Sequence, residues 1–274
     1  MDYIVLDLEW NQAMNASETK GLQFEIIEIG AVKLNDNLVE TGRFNRIVKP
    51  SVYKKMNPII SELTGINEKE FSREKGFVTV INEFLEWCGK DYIICTFGNQ
   101  DIHELQMNMI YHNCEIPWSF PFKYIDVQRV FGIEQKEEFD QRSLEMVTLY
   151  MGIKQKAVYH RALSDALYTA EIIKKMNKND LVKYQSIDYS KLPQSKNEET
   201  EIDCGNHFQY ITREFEKKED LLKYSELYVT RCPVCRKKCR KKIRWFSDST
   251  KYLCAARCEE HGMLEGIINI KKQY

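Results

Sequence analysis

No apolar run in this chain approaches the roughly 18 to 20 residues that span a bilayer, and the N-terminus enters an acid-bearing, strand-like segment at once, without a basic region followed by an apolar stretch. These absences predict a cytoplasmic protein with no membrane partner. Internal repeats and low-complexity tracts are also lacking, so neither a solenoid nor a disordered chain is expected. Net charge is almost absent, at -1 over 274 residues, but that value conceals a division. Residues 231–274 hold 12 Lys and Arg against 4 Asp and Glu, a balance of +8, while residues 1–230 hold 28 against 37, a balance of -9. A polyanion is attracted to such a tail and repelled by much of the body, except where bound metal reverses the local field.

What is present is a composition 43% apolar and 30% charged, enough for one substantial core and a small appendage. The nine cysteines are an odd number, and five of them (Cys232, Cys235, Cys239, Cys254, Cys258) fall in the last 43 residues. That crowding fits metal binding in a reducing compartment better than a disulfide framework. The other four are expected to be buried thiols.

Along the chain, Tyr3 to Trp10 reads as an apolar strand, Phe24 to Leu34 as a second and Gly42 to Pro50 as a third, with the turn signal Asn35-Asp36-Asn37 between the last two. This predicts an antiparallel meander. Phe77, Val80, Ile81, Phe84, Leu85 and Cys88 recur at three and four residues, the pattern of an amphipathic helix leading into the strand Tyr92 to Phe97. Gly98-Asn99 breaks that strand, and Asp101 opens a helix with Ile102, Leu105 and Met109 toward the core. Tyr124 to Val127 reads as a further strand, Leu144 to Tyr150 as a short helix and Ala162 to Met176 as a longer one. Helices feeding buried strands imply α/β architecture, with Asp101 at a strand's C-terminal edge, where open sheets place ligands. Three segments follow: a main domain over 1–183, a linker or helical spacer over 184–230 with its helix from Phe208 to Tyr228, and a basic module over 231–274.

Side chains two apart on a strand share a face, so Asp7 and Glu9 converge. Adjacent buried carboxylates repel and cost several kcal/mol unless a cation or proton compensates them. Their partners are spread along the chain in recognisable contexts: Asp101 in Thr96-Phe97-Gly98-Asn99-Gln100-Asp101-Ile102-His103-Glu104-Leu105, and His160 with Asp165 in His160-Arg161-Ala162-Leu163-Ser164-Asp165-Ala166. His103 and His112 are assigned to helix surface or core.

These three motifs resemble those of the DEDDh 3′→5′ exonuclease family. The segment Ser61-Glu62-Leu63-Thr64-Gly65-Ile66 is similar to the Leu-Thr-Gly-Ile segment that these enzymes place beside the terminal base. The resemblance spans about residues 3–176. It implies a ribonuclease-H-like fold, a mixed five-stranded sheet with its first three strands antiparallel and helices on its faces. It also implies two Mg²⁺ or Mn²⁺ ions, with Asp7 bridging both, Glu9 and Asp165 supporting one, Asp101 holding the other through water, and His160 as general base. Leu8, Trp10, Leu63 and Thr64 would contact the terminal nucleotide. The resemblance is closest to the RNA-directed branch, that of histone-mRNA and small-RNA exonucleases, although that branch often has His-Ser-Gly where this chain has His160-Arg161-Ala162. The expected partner is a single-stranded 3′ end, RNA favoured and DNA possible. Rival readings are a polymerase proofreading exonuclease and a non-catalytic nucleic-acid-binding adaptor.

Near the C-terminus, Cys232-Pro233-Val234-Cys235 and Cys258-Glu259-Glu260-His261-Gly262 form two short-spaced pairs of ligand types. Such pairs point to one structural Zn²⁺, with Cys254 and Cys239 as possible substitutes. Cys258 with His261 is preferred because its two-residue gap repeats that of the first pair and Gly262 permits a tight turn. A module with so few apolar residues needs such a staple. Between the pairs, Arg231 to Arg244 contains eight Lys and Arg, followed by Trp245 and Phe246, a composition suited to single-stranded nucleic acid.

Overall fold

Strands β1 (Asp2–Gln12) and β2 (Phe24–Leu34) are buried along most of their length, as near-continuous apolar strands covered on both faces must be. β2 returns antiparallel on β1, and β3 (Glu40–Ile47) returns antiparallel on β2. The Asn35 side chain closes the second hairpin by accepting the Asn37 and Val39 amides. The structure is a computed structural model. It describes the chain apart from residues 16–17, 120–121, 136–141, 156, 189–192, 194, 204–206, 214, 216–230, 233, 249–250 and 270–274, and only the backbone of 200–203, 207–211, 245–248, 251–253 and 265–269.

After the meander comes helix α1 (Pro58–Thr64), capped by the Asn57 side chain. Helix α2 (Phe77–Cys88) buries Phe77, Val80, Ile81, Phe84 and Cys88, the residues whose spacing marks it. It leads into β4 (Tyr92–Thr96), parallel to β1, and α3 (Gln100–Tyr111) leads into β5 (Phe122–Asp126), parallel to β4. Helices α4 (Val127–Glu134), α5 (Leu144–Tyr150), α6 (Ala162–Lys175) and α7 (Lys178–Lys183) follow. The core between sheet and helices gathers Val5, Val32 and Ile125 with Val130, Ala166 and Ile173.

The sheet is mixed, as expected, but has six strands in the order β3-β2-β1-β4-β5-β6, not five. The added strand, β6 (Ser186–Asp188), is three residues long, too short for an alternation to register in sequence.

The chain divides into two compact units, 1–117 with 124–185, and 118–123 with 186–274. The second contains a five-stranded sheet of β7 (Thr200–Asp203), β8 (His207–Ile211), β9 (Arg240–Asp248), β10 (Lys251–Cys258) and β11 (Gly262–Asn269), ordered β7-β8-β11-β10-β9. The expected spacer over 184–230 therefore differs from the structure: it supplies β6, β7 and β8, and Phe208 lies in a strand, not at the start of a helix. His207-Phe208-Gln209-Tyr210-Ile211 alternates with period two, a strand signal that the charge-rich run after it outweighs. Most of the expected helix, residues 216–228, lies outside the described residues.

Candidate active site

β4 pairs with β1 only from Asp2 to Val5, which leaves the Leu8 amide beyond the paired stretch. Oδ1 of Asp101 accepts that amide at 3.1 Å. The turn after β4 delivers Asp101: Gly98 has φ 100°, and its N–H donates to Oδ1 of Asp126 at 3.2 Å. The same Asp126 oxygen caps α4 through the Arg129 amide at 3.0 Å. Buried Asn108 ties α3 to β2, accepting from the Ile26 amide at 3.1 Å and donating to the Phe24 carbonyl at 2.9 Å.

Helix α6 brings Asp165 from the opposite side. Its first turn lies so close to β2 that a Cβ on Gly30 would stand 2.1 Å from the Ala162 carbonyl carbon and the Leu163 nitrogen. Only glycine fits that contact. Two residues earlier, Glu28 is 1% exposed and accepts from Arg161 Nη2 at 2.8 Å, Arg161 Nε at 3.0 Å and the Ala162 amide at 3.1 Å. A carboxylate buried in a largely apolar strand must find such partners, and Glu28 thereby positions the start of α6 although the motifs do not include it.

His160 precedes the helix with φ 64°, a left-handed conformation uncommon for a residue with a Cβ. Its amide donates to Oδ2 of Asp165 at 3.0 Å, while the residue itself is exposed. The other Asp165 oxygen, Oδ1, is buried without a hydrogen-bond partner. Ligand oxygens of Asp7, Glu9 and Asp165 lie within 4.8 Å of one another. Asp101 is outside that group of three, one of its oxygens being engaged by Leu8.

The electrostatics follow from the crowding. Burial, then the charges of Asp101, Asp165 and Glu9, raise the Asp7 carboxyl well above the usual carboxylate range. Burial, reinforced by Asp165 and Glu28, raises Glu9 to about 8. Burial raises Asp101 to about 7, partly offset by the Leu8 amide, and Asp165 to about 6, partly offset by the His160 amide. A buried, unpartnered oxygen among carboxylates that resist ionisation fits a divalent cation with hard oxygen ligands.

One cleft of about 300 Å³ is lined by Asp7, Glu9, Asp101, His160 and Asp165, and also by Leu8, Trp10, Leu63 and Thr64. The sequence therefore named residues that the fold brings together. Ile60, Phe97, Gln100 and Leu144 complete the wall and were not singled out. Phe97 and Gln100 flank Asp101 within its motif, whereas Ile60 and Leu144 look like ordinary helix-face residues.

In the second unit, Cys232, Cys235, Cys258 and His261 place one ligand atom each within 4.8 Å of the others. Cys235 Sγ is 3.6 Å from Cys258 Sγ, and His261 Nδ1 is 3.6 Å from Cys232 Sγ and 3.7 Å from Cys258 Sγ. A tetrahedral zinc with ordinary bond lengths spaces its sulfurs about 3.8 Å apart and sulfur from nitrogen about 3.6 Å. Cys239 and Cys254 are buried beside the four but outside the group. The turn between β10 and β11 supplies Cys258 and His261, with Gly262 at φ 85°. The Glu260 amide, with His261 adding to it, pulls the Cys258 thiol down to about 6, favouring the ligating thiolate. The residues 240–244 of the basic segment are exposed on β9, whereas the side chains of Trp245 and Phe246 lie outside the described residues.

A family model described as Exonuclease, RNase_T, matches residues 4–173. The chain belongs to this exonuclease family. The family match and the relatives make it a metal-dependent 3′→5′ exonuclease acting on nucleic acid. The probable 3′-5′ exonuclease KapD of Bacillus subtilis is 29% identical over 178 residues, which cover 62% of this exonuclease and 82% of KapD. A DNA polymerase III of the PolC type from Thermotoga petrophila is 29% identical over 193 residues, but these cover 68% of the present chain and 13% of the polymerase. The fold is similar to the solved nuclease domain of 3′hExo, a DEDDh family member bound to rAMP, with a TM-score of 0.58, 22% identity and coverage of 68% of this chain and 96% of that domain. The second unit lies largely beyond the family match. Among the described residues no helix is long and apolar enough to cross a membrane.

Proposed function

We propose that this exonuclease releases nucleoside 5′-monophosphates from the 3′ end of single-stranded nucleic acid, RNA in preference to DNA. The observation that carries the reading is the meeting of five motif residues from β1, α3 and the start of α6 in one cleft, with Asp165 Oδ1 unpartnered among them. Asp7, Glu9 and Asp165 would hold one divalent ion, Asp7 would share a second, and Asp101 would support that second ion through water. When bound, two Mg²⁺ or Mn²⁺ ions supply a hydroxide-like nucleophile and counter-charge for the attacking and leaving oxygens. His160, on an exposed loop, takes the proton from the attacking water as general base, a contribution of roughly 10² to 10⁴ in rate. Leu8 and Trp10 on β1, with Leu63 and Thr64 on α1, hold the terminal nucleoside.

The preference for RNA rests on the ribonucleotide in the 3′hExo nuclease domain. The likeness to a PolC polymerase favours a second reading, proofreading of DNA. Purified protein given labelled RNA and DNA strands with free 3′ ends, with and without Mg²⁺ or Mn²⁺, separates the two. Degradation by Asp7→Ala equal to that by wild type would sink the site assignment, and no degradation of either strand under any metal would favour a non-catalytic adaptor.

Cys232, Cys235, Cys258 and His261 would hold one structural Zn²⁺, consistent with a chain that works in the reducing cytoplasm. One zinc per chain in a metal analysis supports this assignment; none opposes it.

A further inference from the structure

The loop 51–55 is held by an unusual amount of buried polar chemistry. Glu25, 2% exposed, accepts the amides of Ser51, Val52 at 2.8 Å and Tyr53 at 2.6 Å. Asn11, fully buried on β1, donates to the carbonyls of Tyr53 at 3.1 Å and Lys55 at 2.9 Å, and accepts the Asn57 amide at 2.9 Å. The Tyr53 hydroxyl closes the ring by donating to the Leu22 carbonyl at 2.6 Å and accepting from the Lys20 amide. A buried carboxylate with three amide donors is an expensive way to hold a surface loop, and its visible product is the fixed outward presentation of Lys54 and Lys55.

These two lysines and Lys20 line a concavity of about 520 Å³, larger than the catalytic cleft. Gln12 also lines it, two residues along β1 from Trp10 in the catalytic cleft. Gln12 lies five residue steps along the strand from Asp7, about 17 Å of extended chain. Asn57, which Asn11 fixes, caps α1 and so links the loop to the helix bearing Leu63 and Thr64. Glu18 is an acidic neighbour in the wall, but among the described residues none of the three ammonium groups is in an ion pair. Uncompensated cations are notable in a body that carries -9 over residues 1–230.

We infer that this concavity is a second substrate subsite, in which Lys20, Lys54 and Lys55 bind backbone phosphates of the strand on the 5′ side of the nucleotide being removed. The inference rests on the exonuclease reading and adds a length dependence to it: a substrate that reaches only the catalytic cleft gains nothing from the lysines. Phosphate contacts of this kind are salt-dependent and blind to base sequence.

The test uses the full zinc-loaded chain with Mg²⁺, comparing wild type, Lys54→Ala/Lys55→Ala and Lys54→Arg/Lys55→Arg on three probes: the p-nitrophenyl ester of thymidine 5′-monophosphate, a dinucleotide and a long labelled single strand. With the alanine variant, KM for the long strand should rise roughly tenfold and its log–log salt slope should fall by about 1.4. Its kcat, and both parameters for the two short probes, should stay within about twofold. The arginine variant should behave as wild type, because it restores the charge. An unchanged long-strand KM, or an equal rise for the dinucleotide, overturns the subsite. Should wild type turn over none of the probes, the exonuclease reading itself fails, and the subsite is then judged on the long strand's binding anisotropy, where an equal Kd for wild type and the alanine variant overturns it.

Discussion

The backbone amide of His160 donates to Oδ2 of Asp165 at 3.0 Å, so the proposed base and a proposed metal ligand hold each other through main chain and not through the imidazole. The ring is left free to work. Replacing it should therefore remove chemistry while leaving the carboxylate in place: His160→Ala is expected to lower kcat by roughly 10² to 10⁴ with little change in Mn²⁺ affinity measured by calorimetry. His160→Gly, which relieves the φ of 64°, should melt no lower than His160→Ala. A large loss of Mn²⁺ binding in either variant would mean that the ring itself is a ligand.

Stability should depend on pH and divalent ions together. Asp165, Asp101 and Glu9 are raised to about 6, 7 and 8, above the usual value of about 4 in an unfolded chain. The folded state thus binds protons more tightly than the unfolded one. Without divalent ions, the contribution of these three groups to stability is greatest below pH ~4 and is lost as pH rises through the folded values. Mg²⁺ or Mn²⁺ replaces those protons, and the gain in Tm on adding either ion to zinc-loaded protein should be larger near pH ~8 than near pH ~6.5. An equal gain at both values would contradict ligation by these carboxylates.

Much of this site was legible because its residues stand in local patterns: Asp7 and Glu9 share a strand face, and Asp101 and Asp165 each open a helix. The supporting residues were not legible for the opposite reason. Nothing near Gly30 or Glu28 in sequence announces α6, which arrives about 130 residues later, and the Glu25 and Asn11 bonds join segments far apart in the chain. The same holds for the second unit. Its cysteine pairs were readable at short spacing, while β7 and β8 acquire meaning only by pairing with each other and with β11.

Gly30→Ala tests the closeness of strand and helix. The added methyl meets backbone on α6, which cannot rotate away, so the cost should reach or exceed the upper end of roughly 1–3 kcal/mol. Activity should fall more than fold content does, because α6 carries Asp165. Chemical denaturation and turnover on the same preparation measure the two effects.

Glu28→Gln keeps the side chain's size and removes its charge. Arg161 is 35% exposed, so the loss should be near 2–3 kcal/mol, below the figure for a fully buried pair. Part of that loss should return in Glu28→Gln/Arg161→Met, where no guanidinium is left unpaired. A double-mutant cycle read by Tm and urea midpoint checks the coupling.

For the second unit, Cys232→Ser should lose zinc and the near-ultraviolet circular dichroism of residues 186–274, whereas Cys239→Ser and Cys254→Ser should retain the metal. With the Cys258 thiolate favoured, zinc should stay bound through neutral pH and be released only in acid, as protons compete for its thiolates and imidazole. Metal analysis after dialysis at each pH reads this directly.

Where β4 leaves β1 after Val5, the sheet has an open edge inside the protein. Such an edge ordinarily invites a foreign strand, and here a carboxylate occupies its first vacant donor, the Leu8 amide. Asp101 is thus a plug as well as a charge. Asp101→Asn keeps an acceptor for Leu8 and should yield a silent but soluble enzyme, while Asp101→Ala uncovers the edge and should be the variant that self-associates, a difference that light scattering during refolding would reveal.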